Sequence, residues 1–247
     1  LMMPADAPLY QVAHGMSFGI VFGKLIYGGS GRYLVNPAML AIAFLVFSYS
    51  ELMFSKGAWV PVAGWDQPTV LELVTEEGGI RVIPAVDYSW WQLFLGDRPG
   101  AVGVVSVLGA AIGAIFLILT GMASWRVIVG ALLGLIGVSL LCNALGPDNL
   151  ILSIPWYWHL VLGGFAFGAV FIATDPVTGA MTDPGRWGFG LLVGGLTVVI
   201  RLGNISYYEA MIFAILLASL FSPLIDHVVV RMNIRRRRAR LQEVGDA

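Results

Sequence analysis

The sequence predicts an all-α polytopic membrane protein with about seven transmembrane helices. Hydrophobic residues make up 58% of the 247 residues and charged ones 12%, about half the charge of a soluble domain. Mean hydropathy is +0.83. The apolar residues fall into seven blocks, each close to the roughly 20 residues a helix needs to cross a bilayer. Thirty-one glycines suit helices whose backbones approach closely.

The predicted spans lie near residues 11–27, 38–54, 101–121, 125–145, 156–174, 187–203 and 206–225. The first is the weakest, because it carries His14 and Lys24, and the third, from Ala101 to Thr120, is the cleanest. This divides the chain into two first spans (1–54), an external loop (55–100), a five-helix membrane bundle (101–230) and a basic cytoplasmic tail (231–247). The loop holds Trp59, Trp65, Tyr88, Trp90 and Trp91 with the acidic residues Glu72, Glu76 and Glu77. Its aromatics read as an interfacial belt in preference to a ligand surface. The lone Cys142 excludes an intrachain disulfide and a Cys-rich metal site, and it is expected as a buried span residue.

Positive charge orients the set. With the arginine-rich tail in the cytoplasm, Lys24, Arg32, Arg126 and Arg186 also fall inside, and Lys56, Arg81, Arg98 and Arg201 fall outside. Leu1-Met2-Met3-Pro4 reads as the tail of an earlier apolar segment and carries no signal-peptide pattern. The expectation is a fragment lacking an odd number of N-terminal helices.

Several constellations could carry chemistry, each beside a plainer reading. Ala173-Thr174-Asp175-Pro176-Val177-Thr178-Gly179-Ala180-Met181-Thr182-Asp183-Pro184 puts two carboxylates and three hydroxyls at the end of a span. It is either a cofactor, substrate or ion site or an interfacial turn between two helices. Asp226-His227 closes the last span, as a cation or proton site or as a satisfied partner of Arg231 or Arg235. Gly28-Gly29-Ser30-Gly31-Arg32 is a phosphate cradle or, with more weight, a flexible turn. Trp156-Tyr157-Trp158-His159 reads as an anchor at the start of a span, and Gly163, Gly164 and Gly168 would open a smooth helix surface for a flat ring or a neighbouring backbone. Arg201 and Glu209 bracket the last hairpin as a potential pair. Asn36-Pro37 faintly echoes Asp175-Pro176, as an internal repeat would. No histidine, cysteine and carboxylate set has metal-ligand spacing. No hydrolytic triad is legible, and the basic tail reads as a topology determinant, with no nucleic acid as partner.

Phe171-Ile-Ala-Thr-Asp-Pro-Val-Thr178, Pro223-Leu-Ile-Asp-His-Val-Val-Val230 and Asn233-Ile-Arg-Arg-Arg237 strongly resemble the B subunits of Na+-translocating NADH:quinone oxidoreductases. Gly28 to Arg32, Asn36-Pro37-Ala38, Ala123-Ser-Trp-Arg126 and Trp156 through Gly168 are similar to the same family in the same order. The related D subunit of the Rnf complex shares the Asn-Pro-Ala and Thr-Asp-Pro elements. The resemblance implies a ten-helix fold of two five-helix repeats, of which this chain would hold the last seven helices, as a truncated or divergent member. It also implies a bacterial inner-membrane assembly of six subunits in which electrons pass from NADH through flavins and iron–sulfur centres to ubiquinone while Na+ is exported. The implied cofactors are FMN, joined covalently to a threonine, and riboflavin.

Two positions depart from the family pattern. Asp66-Gln67-Pro68-Thr69-Val70-Leu71 stands where the family carries Ser-Gly-Ala-Thr, so Thr69 as FMN attachment keeps the residue type without its small neighbours. Val104-Val105 stands where the family tends to carry a carboxylate on a cation route. The expected roles are then FMN attachment for Thr69, ion-path or structural carboxylates for Asp175 and Asp226, and flavin or quinone packing for Gly163, Gly164 and Gly168. The alternatives are an Rnf-like or divergent paralogue without covalent FMN in another flavin-based complex, and a passive channel or transporter on the same fold.

Overall fold

A computed structural model describes residues 2–3, 7–50, 89–97, 100–101, 103–146, 152, 154–203 and 210–245. All regular structure among them is helical. In chain order the helices are α1 (Leu9–Ile20), α2 (Pro37–Ser48), α3 (Trp90–Leu95), α4 (Val107–Leu119), α5 (Trp125–Leu145), α6 (Trp156–Val161), α7 (Phe165–Phe167), α8 (Asp183–Gly203) and α9 (Ala210–Gly245). Wider π-helical turns extend α1 over Val21–Leu25 and α7 over Gly168–Ile172.

Among the described residues, three helices are long and apolar enough to cross a membrane: Trp125–Leu145, Asp183–Gly203 and Ala210–Ala239. Other predicted spans are shortened for identifiable reasons. The third begins only at Val107, where the Ser106 hydroxyl accepts from the Gly109 N–H at 3.0 Å and caps the helix. The second starts at Pro37 behind an Asn36 cap and ends at Tyr49, whose φ of −130° leaves the helical region. The fifth is broken, because Leu162 is extended and Gly163 adopts a φ of +60°, which a glycine accepts without strain. The last span and the basic residues after it share one helix, α9, with no break between them.

Small residues set the packing. α8 lies most closely on α5, with Gly190 and Gly194 of one facing Gly130 and Gly134 of the other. A methyl group on Gly194 would collide with the Ala131 carbonyl, and one on Gly134 with the Leu191 carbonyl. This is the small-xxx-small contact that brings helix backbones together where lipid offers no hydrophobic gain. Gly15, Gly19 and Gly23 form the corresponding stripe of α1 against Leu45, Ala41 and Pro37 of α2. The buried core joins these layers through Leu135, Phe165, Phe189, Val193, Met211 and Ile215.

The element order repeats at a constant interval. Pro8 and Pro155 precede α1 and α6, the π-helical turns begin at Val21 and Gly168, and Asn36 and Asp183 stand at the starts of α2 and α8. Each pair is 147 positions apart. The repeat therefore matches Asn36-Pro37 with Asp183-Pro184, which corrects the sequence echo with Asp175-Pro176. Both prolines lie in the first helical turn, where a missing N–H is tolerated. Cys142 is only half-buried, which corrects the expectation of a buried span residue.

Candidate functional site

Asp175 lies in the turn that follows the π-helical end of α7. The turn itself is local chemistry: the Asp175 carboxylate accepts from the Val177 N–H at 3.1 Å and the Thr178 hydroxyl at 3.2 Å. These bonds form a turn, as in the plainer reading. Its surroundings are not local. The Asn36 amide donates to the same carboxylate at 3.3 Å, across 139 positions of sequence, while the Asn36 side-chain oxygen accepts from the Ala38 N–H at 3.0 Å and caps α2. The Tyr33 phenol lies near the Asp175 carboxylate, and burial together with the Asp175 charge pushes the phenol pKa above the ordinary value, keeping it a donor. The crossing of the two polar-proline turns thus gathers an amide, a phenol, a hydroxyl and a carboxylate from both halves of the chain.

Two cavities meet this crossing. One, of about 410 Å³, is apolar, lined by Met16, Met39, Ile42, Phe167 and Phe171, with Asn36 as a polar wall. The other, of about 350 Å³, is polar, lined by Ser124, Arg126, Thr174, Asp175 and Arg186. The Asn36–Asp175 hydrogen bond therefore links the two linings. Arg126 and Arg186 both reach the Asp183 carboxylate, at 3.1 and 3.3 Å, in half-exposed ion pairs, and Trp125 meets Trp187 edge to face at 5.5 Å. Those contacts hold the rim of the polar cavity across α5 and α8.

Asp226 is placed differently. Its carboxylate accepts from the Met181 N–H at 2.7 Å and from the Thr182 N–H and hydroxyl at 3.0 and 2.5 Å. The Thr182 hydroxyl in turn accepts from the Gly185 N–H at 3.2 Å. Asp226 ties α9 to the start of α8. Its partners are backbone and hydroxyl donors, which corrects the expected pairing with Arg231 or Arg235, and with both oxygens engaged the structural reading is the better supported one.

The glycines expected to form one smooth surface serve two separate purposes. Gly163 and Gly164 end a helix, because Gly163 takes the left-handed conformation, so no continuous surface passes through them. Gly168 is buried against Met211 and Ile215 of α9, and even a methyl group there would strike Met211. At that position the glycine faces a neighbouring helix. The turn at Gly28, Gly29 and Gly31 has φ of +97°, +98° and +85°. Its Gly28, Gly29 and Arg32 N–H groups donate to Leu25, Lys24 and Gly29 carbonyls at 3.0, 3.1 and 3.4 Å, which favours a turn over a phosphate cradle. Thr69, Glu209 and the rest of the external loop before Ser89 lie outside the described residues.

Sequence reasoning missed the buried group around Arg201. Arg201 was read as one bracket of the last hairpin, and the residue is only 5% exposed. The Arg201 guanidinium donates to the His159 carbonyl at 3.1 Å and the Leu162 carbonyl at 2.9 Å, and lies 3.0 Å from His159 Nδ1. A guanidinium has no acceptor, so Nδ1 is the unprotonated nitrogen of that ring. The helix break leaves these carbonyls without intrahelical partners, and Arg201 supplies them. The usable signal was the Gly163-Gly164 pair in one span together with an arginine inside another.

A family model, described as the NQR2, RnfD, RnfE family, matches residues 1–235. Proteins named as the B subunit of the Na(+)-translocating NADH-quinone reductase are similar along nearly the whole chain. The one from Ectopseudomonas mendocina is 47% identical over 241 residues, covering 97% of this chain and 60% of the relative. The one from Klebsiella pneumoniae is 44% identical over 244 residues, covering 97% and 59%. The chain thus spans about 60% of the length of the curated relatives it matches.

Proposed function

This chain belongs to the NQR2, RnfD, RnfE family, and on that premise we propose that it is a membrane component of a Na+-translocating NADH:ubiquinone oxidoreductase. The observation that carries this reading is 47% identity over 97% of the chain to proteins named as the B subunit of such a reductase. In this reading the protein sits in a bacterial inner membrane with its C-terminus in the cytoplasm. It works with the other subunits of a six-subunit redox complex, and its seven spans belong to a ten-helix, two-repeat fold. Flavin, as FMN and riboflavin, supplies one- and two-electron chemistry when bound. The chain's own residues supply position and electrostatics: Asn36, Tyr33 and Thr178 hold Asp175 as a partly buried carboxylate beside a polar cavity, where it serves as a cation-path group. The apolar cavity on the other side of Asn36 has the size and lining of a small-molecule site and suits a quinone ring.

Turnover of the assembled complex tests this reading. Asp175→Asn removes the charge while keeping the turn, and Na+-dependent NADH:quinone turnover is expected to fall at least about tenfold, the effect of losing roughly 1.4 kcal/mol in the limiting step. Unchanged Na+ dependence would leave Asp175 as a turn residue only. A second reading, a paralogue without covalent FMN, is favoured by one observation: Pro68 and Gln67 stand beside Thr69 in place of the family's Gly-Ala. Fluorescence of the denatured protein, made together with a flavin transferase, separates the two. A fluorescent band with FMN mass on the loop peptide supports Thr69 as attachment, and a dark band with retained co-purification of flavin subunits supports the paralogue.

A further inference from the structure

The last helix carries charge that the redox reading does not use. α9 runs unbroken from Ala210 to Gly245. Its first part is held in the core by Met211, Ile212, Ile215 and Ala218, and Val229 is the last buried residue described on it. From Val230 through Ala239 every residue is exposed. The helix therefore leaves the bundle just after Asp226 ties it to the 181–182 turn.

Height follows from helix geometry. The stretch from Ala210 to Val230, whose titratable residues are Asp226 and His227, measures about 31 Å at 1.5 Å per residue, which is one hydrocarbon thickness. Arg231 stands at its edge, and Arg235–Arg238 stand about 6–11 Å further out, in and just above the headgroup layer. Successive residues turn by about 100°, so four consecutive arginines point to every side of the helix. Among the described residues no ion pair joins Arg231 or Arg235–Arg238 to a carboxylate, and the ion pairs that are formed belong to Asp183. Like charges four apart, such as Arg231 and Arg235, repel each other along an exposed helix. A flat acidic protein face would meet one side of this ring. A negatively charged layer surrounding the helix meets all of it.

We propose that Arg231 and Arg235–Arg238 form a collar that binds the phosphodiester headgroups of anionic membrane lipids and thereby holds the projecting part of α9 helical at the membrane surface. The ligand class is the anionic phospholipid, and phosphatidylglycerol is the probe.

The full chain is placed in mixed phosphatidylcholine–phosphatidylglycerol nanodiscs, and the lipid retained per protein after release is counted by native mass spectrometry. Wild type is expected to retain phosphatidylglycerol in preference to phosphatidylcholine. The Arg235→Gln, Arg236→Gln, Arg237→Gln, Arg238→Gln variant should lose that preference by at least about tenfold, given roughly fivefold per arginine near an anionic surface. The corresponding four-fold Arg→Lys variant should keep it. High salt applied to wild type, which leaves the inserted topology unchanged, should reduce retention to the level of the glutamine variant. Equal retention of both lipids by wild type, or undiminished phosphatidylglycerol in the glutamine variant, overturns the proposal. So does loss of an acidic partner protein with lipid retention unchanged. If the glutamine variant fails to fold, the salt titration of wild type decides alone.

Discussion

At the scale of single residues, the crossing of Asn36 and Asp175 separates a connection from a coincidence. Asn36 caps α2 with its oxygen and reaches Asp175 with its nitrogen. Asn36→Ala therefore removes a cap and a hydrogen bond to a carboxylate together, and is expected to lower stability by about 2 kcal/mol. A thermal-melting cycle with Asp175→Asn should show coupling of about 1 kcal/mol, and strict additivity would mean the two turns act independently. Arg201 is the more severe case. Arg201→Gln withdraws charge-assisted donors from two carbonyls at a helix break, for a loss of about 3 kcal/mol, and Arg201→Lys should recover only part of it because one ammonium cannot copy the planar fork. Equal melting temperatures of the two variants would refute that difference. Residue types at these places were legible beforehand for Asp175 and Asp226, whose neighbours are charged or proline-rich. The partners were not, because they come from 139, 44 and 42 positions away.

At the scale of elements, close packing of α5 on α8 rests on glycine. Gly194→Leu pushes a side chain into the Ala131 carbonyl, where neither backbone can yield cheaply. We expect a loss of about 3 kcal/mol, with the helical signal retained and the melting temperature reduced; a melting temperature equal to wild type would show that these helices are not packed as described. Asp226→Ala is an element-level change as well, since it frees the start of α8 from α9. Faster amide exchange confined to residues 181–186 is the expected result, and exchange spread evenly over both helices would argue against the tie. Helix existence was readable from the apolar blocks, and α5 falls on its predicted limits. Helix ends were read less well, because they are decided by one-residue events. A Ser106 cap removed the first turns of the third span, and a left-handed Gly163 divided the fifth. Hydropathy averages over such details.

At the scale of the whole molecule, the interval of 147 positions between corresponding elements means that each half presents a π-helical end, a turn and a proline-started helix. Their turns meet at the Asn36–Asp175 bond, which links an apolar and a polar cavity. A redox subunit of the proposed kind has to bring a carrier and a cation route close together without opening a leak, and a meeting of two half-repeats is a means of doing so. An isolated chain is expected to show no NADH oxidation, with activity appearing only on co-assembly with its partner subunits. Activity of the purified chain alone would remove that reading.

Residue order alone was enough to establish a helical membrane protein, the family it resembles, and the two carboxylates Asp175 and Asp226 as residues of interest. Composition, hydropathy and short motifs are local properties, and a bilayer makes them decisive, because each span must satisfy its own backbone. What those carboxylates touch emerged only from the folded chain. Asp226 became a tie between helices, Asp175 a junction of two turns, and Arg201, read as one bracket of a hairpin, became the buried cap of a broken helix. Each of those outcomes depends on a partner far along the chain, and no periodicity within a window of about twenty residues carries that information.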